Sequence, residues 1–213
     1  MASVTVQVEA NADDGYRVGD GMGGFTYNNN ADYVSIGALN PGGGSSDTTC
    51  YFRFLSVGIP AGSTILTAKL QYKLHENYSV SSKTCDIHAE DADSAGAIAN
   101  DSAMTTSQAA KTSQKTTWTL ATSSDTTNFL DSADFTTVIA AVVGRGGWAS
   151  GNNITIHLLN PTDAGMSEDR EMKIKSHDIT GQGGAHAAQL VVTYTPPVKA
   201  GGIPQTLMLH ELF

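Results

Sequence analysis

The sequence predicts an all-β protein: an antiparallel jelly-roll-type β-sandwich with one short helix and an extended C-terminal arm. Three observations lead there. Short runs of strict apolar/polar alternation recur along the chain, the period of a half-buried strand. Clusters of Gly, Asn, Asp, Ser and Pro separate these runs, and glycine alone supplies 22 of the 213 residues. Only one stretch carries the clear period of an apolar helix stripe, so the strands lack the crossover helices that parallel sheets need. A strand pair that is apolar on one face must be covered, and a second sheet is the simplest cover.

The clearest unit is residues 50–74, CYFRFLSVGIPAGSTILTAKLQYKL. Cys50, Phe52 and Phe54 alternate with Tyr51 and Arg53, and Ala68, Leu70, Tyr72 and Leu74 alternate with Lys69, Gln71 and Lys73. Between them Pro60 has no N–H to give a ladder and Gly62 can take φ > 0, so residues 59–63 form a corner. In chain order, the first strand carries Val4, Val6 and Val8, and residues 11–15 turn. Residues 16–31, YRVGDGMGGFTYNNNA, hold five Gly or Asp breakers and an Asn run, and are expected to be a loop-rich connection. A short strand at 33–37 and a loop at 40–47 lead into the central pair. A turn at 77–83 precedes a strand at 83–90 with Cys85, Ile87 and Ala89 inward and Asp86, His88 and Glu90 outward. Residues 91–114 are expected to be a loop with a short helical turn, and 116–120 a strand carrying Trp118.

Residues 131–148 are the predicted helix. Phe135, Val138, Ile139 and Val142 fall at i, i+3, i+4 and i+7. Asp131 or Ser132 would cap its start and Gly144 close it. Strands at 153–159, 171–175 and 189–195 bring the total to nine or ten, with no internal repeat of fixed period. Residues 1–196 therefore read as one sandwich domain. Pro196 and Pro197 stop its last strand, and Ala200, Gly201 and Gly202 make a hinge before the apolar end IPQTLMLHELF.

Composition excludes several classes of partner. The net charge is −9 and only 15% of residues are charged, the opposite of a basic nucleic-acid-binding surface. No run of about 20 apolar residues occurs, so no helix is expected to span a membrane. The start, MASVTVQVEANADDGY, has neither the basic nor the apolar region of a signal peptide, so the chain is expected to be made in the cytoplasm without one. Cys50 and Cys85 both point inward. Two buried free thiols are expected, and a bridge stays open if their strands are neighbours.

Motifs for chemistry are sparse. The six histidines are scattered, and no HExxH, CxxC, GxSxG, phosphate-binding or dinucleotide fingerprint occurs. No catalytic residue is assigned and no cofactor is expected. Carboxylates cluster at Asp13 and Asp14, at Glu90, Asp91 and Asp93, and at Glu168, Asp169 and Glu171. The second group, at a strand end, is the leading place for a structural calcium, set against solvated turn carboxylates. Trp148 in its glycine-rich turn, with Tyr27 and Tyr33, is the leading glycan-stacking set; the alternative is that Trp118 and Trp148 plug the ends of the sandwich.

The run FRFLSVGIPAGSTILTAKLQYKL is similar to the signature of DNRLRE-type domains, jelly-roll modules related to carbohydrate-binding modules. CDIHAEDADSAGAI, TTWTL, FTTVIAAVVGRGGWASGNNITI and QLVVTYTP resemble further elements of that family in order, over roughly residues 10–196. Gly144 and Gly146 depart from the Asp and Pro that the family often places around Arg145. Single-domain relatives of this shape look like those carried on bacteriophage virions. The resemblance therefore implies a non-enzymatic virion structural protein, capsid decoration or tail-associated, with other virion proteins as partners and a homo-oligomeric state. Its apolar arm, Leu207, Met208, Leu209, Leu212 and Phe213, would make the assembly contact. The alternative is a carbohydrate-binding module that recognises a host or environmental glycan.

Overall fold

The corner at residues 59–63 carries the chain from one sheet to the other in the computed structural model, which describes residues 1–19, 24–39, 46–79, 83–162, 170–179 and 184–198. Ser63 N donates to Pro60 O across a turn whose third position, Gly62, has φ +77°. That conformation is open to glycine and strained for side chains with a Cβ. The smaller sheet has the order β1 (Ala2–Gln7), β12 (Gln189–Thr195), β6 (Thr64–Tyr72), β9 (Leu130–Asp131). The larger runs β11 (Arg170–Lys175), β4 (Tyr33–Leu39), β5 (Ser46–Phe54), β10 (Ile154–Leu159), β7 (Thr84–Ala89), β8 (Thr116–Thr119). A hairpin of β2 (Asp14–Gly19) and β3 (Phe25–Asn28) joins it along β5. Each of these pairings is antiparallel.

The predicted alternation sets the core. Phe52, Phe54, Ile156, Leu158 and Ile87 from the larger sheet meet Leu70, Tyr72, Leu190 and Val192 from the smaller, all buried. Each such side chain contributes about 1.5–3 kcal/mol by leaving water. Trp118 packs edge-on against Tyr72, ring centroids 5.2 Å apart. Cys50 and Cys85 are free and buried. The bridge left open by the sequence is excluded by register. Cys50 pairs with Leu158, and Leu158 pairs with Ile87, so β10 lies between the two cysteine strands. Two strand spacings are about 10 Å, beyond the roughly 7 Å limit for a disulfide. Burial, and then each other's proximity or that of Asp86, pushes both thiols up.

Three expectations need correction. Residues 16–31 are not a connection but hold most of β2 and all of β3, since Tyr16 and Val18 pair with β5 on one side and Asn28 and Thr26 on the other. The helix is shorter than residues 131–148: α2 spans Thr136–Val143. Its stripe Phe135, Val138, Ile139 and Val142 is buried, as the spacing requires. Neither Asp131 nor Ser132 caps it. Asp131 sits in β9 and pairs with Lys69 at 2.9 Å, and Ser132 Oγ accepts from Leu70 N at 3.0 Å, so both serve the edge of β6 instead. Asp134 Oδ1 accepts from Thr136 N, and Gly144 N closes the other end on Ala140 O. Finally, residues 91–114 contain a second helix, α1 (Asp101–Ala109), capped by Asn100, whose side chain accepts from Ala103 N.

Candidate functional site

Alternation along β5, β10 and β7 sends Tyr51, Arg53, Thr155, His157, Asp86 and His88 away from the sandwich core. These positions would meet water in an open sheet. Here the segment carrying α1 covers them, and Tyr51 and His157 are 0% exposed. Met104, Ser107 and Gln108 form the buried face of α1. Met104 packs with Tyr51 and Ile98, and Gln108 Nε2 donates to Thr49 Oγ1 at 3.1 Å. The layer under α1 is thus half apolar and half polar.

Ser107 is the centre of its polar half. Its hydroxyl donates to Glu90 Oε2 at 2.8 Å, and His157 Nε2 lies 2.8 Å from the same oxygen. A hydroxyl has one proton, so Nε2 carries the other and donates to Ser107 Oγ. His157 Nδ1 is left without a hydrogen-bond partner. Burial, reinforced by His88 and Lys111, pushes this imidazole down to about 3. The proton order therefore runs from His157 to Ser107 to Glu90. In that order the imidazole cannot take the serine proton, so the trio is not poised as a histidine-activated nucleophile.

Two clefts flank α1. One, about 430 Å³, is lined by Glu90, Ile98, Asn100, Ala103 and Ser107. The other, about 350 Å³, lies between α1 and the β2–β3 hairpin and is lined by Arg17, Phe25, Thr105, Gln108, Lys111 and Asn160. Phe25 is 47% exposed, and the Arg17 guanidinium carbon stands 4.1 Å from its ring centroid. Arg17 also donates to Thr105 Oγ1 at 2.7 Å and lies 3.5 Å from Asp101, which ties the hairpin to α1. An exposed ring beside planar guanidinium and amide groups suits a polyhydroxylated or planar ligand.

The three rings proposed for glycan stacking do not form a platform. Trp148 is buried at 4% exposure and its indole N–H donates to Ile59 O at 2.9 Å, so its glycine-rich turn presents it to the core and not to solvent. Tyr27 is half-buried beside α1, its hydroxyl donating to Ile98 O at 2.7 Å and lying 2.8 Å from the Tyr51 hydroxyl. Tyr33 stacks on Tyr16 at 5.8 Å, with His75 at 5.3 Å. The proposed calcium residues are also occupied. Arg145 bridges Asp91 through Nη1 and Asp93 through Nε, the latter at 2.7 Å, while Glu90 serves Ser107. A side chain at Gly147 would displace the Asp93 carboxylate. Leu207, Met208, Leu209, Leu212 and Phe213 lie outside the described residues.

Phe25, Arg17, Ser107 and His157 were missed as site residues. The alternation Phe25–Tyr27 was visible but hidden by neighbouring glycines. His157 alternates with Ile156 and Leu158, and nothing local marks the later cover of its face. No protein-family model matches this chain, and a search of curated proteins finds no match.

Proposed function

We propose that this chain is a non-enzymatic structural protein of a bacteriophage virion, a capsid-decoration or tail-associated module that docks on the particle through residues 197–213. One observation carries the reading: the way the described chain leaves the sandwich. Leu190, Val192 and Tyr194 of β12 are buried, yet Thr195 to Val198 are all exposed, and Val198 is 94% exposed. The sequence that follows ends in IPQTLMLHELF, whose apolar side chains gain most from a groove on a neighbour. The resemblance to DNRLRE-type domains supports the virion context, and an acidic exterior keeps many copies apart before docking. The expected partners are a major capsid or tail protein and further copies of the chain in a closed ring.

The test compares the full chain with one ending at Pro197, by light scattering and by co-sedimentation with purified particles. The shortened chain should melt like the full one and lose particle binding. Equal binding by both overturns the docking role of the arm. A second reading, glycan recognition, is favoured by the cleft at Phe25. It requires glycan binding that survives the shortening and is lost in Phe25→Ala.

A further inference from the structure

We propose that Asp14 and Asp178 are ligands of a hard divalent cation of the calcium class, bound where the turn at residues 11–14 meets the turn at residues 176–178. The two turns are joined by a bond from His177 N to Asp14 Oδ2 at 2.9 Å, which sets the Asp14 carboxylate against the backbone that leads into Asp178. Both side chains are out of water: Asp14 is 1% exposed and the Asp178 side chain 7%. Both carboxylate oxygens of Asp178 are buried without a hydrogen bond, and their nearest cationic candidate is His177 Nδ1 at 3.7 Å from Oδ1. That nitrogen is already 3.2 Å from Asn11 Oδ1.

Among the described residues, the arginine at this junction does not help. Arg53 binds Asp13 Oδ1 at 2.8 Å and gives its Nε to Ala95 O. Among the described residues Asp14 and Asp178 have no lysine or arginine partner, an arrangement that costs stability unless protons or a metal ion neutralise it. Burial, together with the charges of Asp178 and Asp13, pushes the Asp14 carboxyl up to about 8, against the pull of the His177 N–H. Burial raises Asp178 too, against the pull of the neighbouring His177 imidazole.

The donors on hand are carboxylate oxygens with the Asn11 amide oxygen beside them. An oxygen-only set selects calcium-like ions over zinc or copper. Among the described residues no three acidic, imidazole or thiol side chains converge on one point. The ion would therefore be held by two carboxylates and completed by amide or carbonyl oxygens and water, a common make-up for calcium.

The test uses the full chain, stripped with chelator and melted with and without calcium chloride. Calcium should raise Tm by about 5 °C or more, and calorimetric titration should show one ion per chain. Asp178→Asn and Asp14→Asn should abolish the rise. Asp178→Asn should also melt no lower than the wild type in chelator, because it removes a buried carboxyl whose oxygens have no hydrogen bond; a merely structural role would lower Tm in either condition. Asp91→Asn should keep the calcium response. No rise and no heat with the wild type, a full response in Asp178→Asn, or loss of it in Asp91→Asn overturns the proposal.

Discussion

At residues 90–93 the side chains of Asp91 and Asp93 stand about half exposed, at 50% and 47%, with the Arg145 guanidinium bound to both. At residues 11–14 Asp13 and Asp14 are 3% and 1% exposed, and among the described residues only Asp13 has an arginine. In sequence the two acidic turns look alike, and the denser one drew the calcium assignment. The structure buries the other one far more deeply. Carboxylates at the surface need little, because water already stabilises them and a flexible arginine suffices. Carboxylates under a sheet need a specific partner for each charge. Burial and the supply of cations decide where an ion is wanted, and the density of acidic letters does not.

The largest expected effect breaks the buried side of this comparison. Arg53→Met strands Asp13, whose side chain is 4% exposed, and should cost about 3–5 kcal/mol in urea unfolding. A loss below about 1 kcal/mol would show that this turn is as well solvated as residues 90–93.

A smaller effect concerns buried polar groups that are not acidic. The His157 imidazole is held down to about 3, whereas in the unfolded chain it titrates near 6.5. Between those values the unfolded chain binds a proton that the folded chain does not. The stabilising contribution is therefore complete above about pH 6.5 and is lost as pH falls, by up to about 1.4 kcal/mol per unit. Asp14 acts with the opposite sign, because its raised carboxyl holds a proton that the unfolded chain has released. The stability of the wild type minus that of His157→Gln, measured from pH 7 to pH 4, removes the Asp14 contribution. That difference should shrink as pH falls, and a flat difference would mean that His157 is hydrated.

The smallest effect is at the surface. Arg145→Gln should lower Tm by much less than Arg53→Met. The loss should nearly vanish in about 1 M salt, where screening acts over roughly 3 Å. A loss equal to that of Arg53→Met, or one insensitive to salt, would erase the contrast between the turns.

Particular elements show what could be read in advance. The strands of the central pair, their corner and the buried stripe of α2 follow from alternation, from Pro60 and Gly62, and from i, i+3, i+4 spacing. The β2–β3 hairpin was obscured because five breakers stand at its connection, although Tyr16, Val18, Phe25 and Tyr27 alternate on either side. Helix α1 escaped because its buried face is Met104, Ser107 and Gln108, mostly polar, so no apolar stripe marks it. Trp148 is buried with Trp118, as the reading that makes them plugs of the sandwich requires; the glycine-rich turn signals exposure, but the indole N–H donates to the Ile59 carbonyl at the corner.

Local pattern was enough for the class of fold, the inward set Cys50, Phe52 and Phe54, and two thiols kept from water. It could not say that Tyr51 and His157 are also buried, because a period of two assigns a side chain to one face of its own sheet and is silent on what later covers that face. Nor could it join Asp14 to the turn at His177, 163 residues away in the chain. Both depend on where distant segments come to rest. That packing determines which polar groups lose water, and so which of them must find a proton, a partner or an ion.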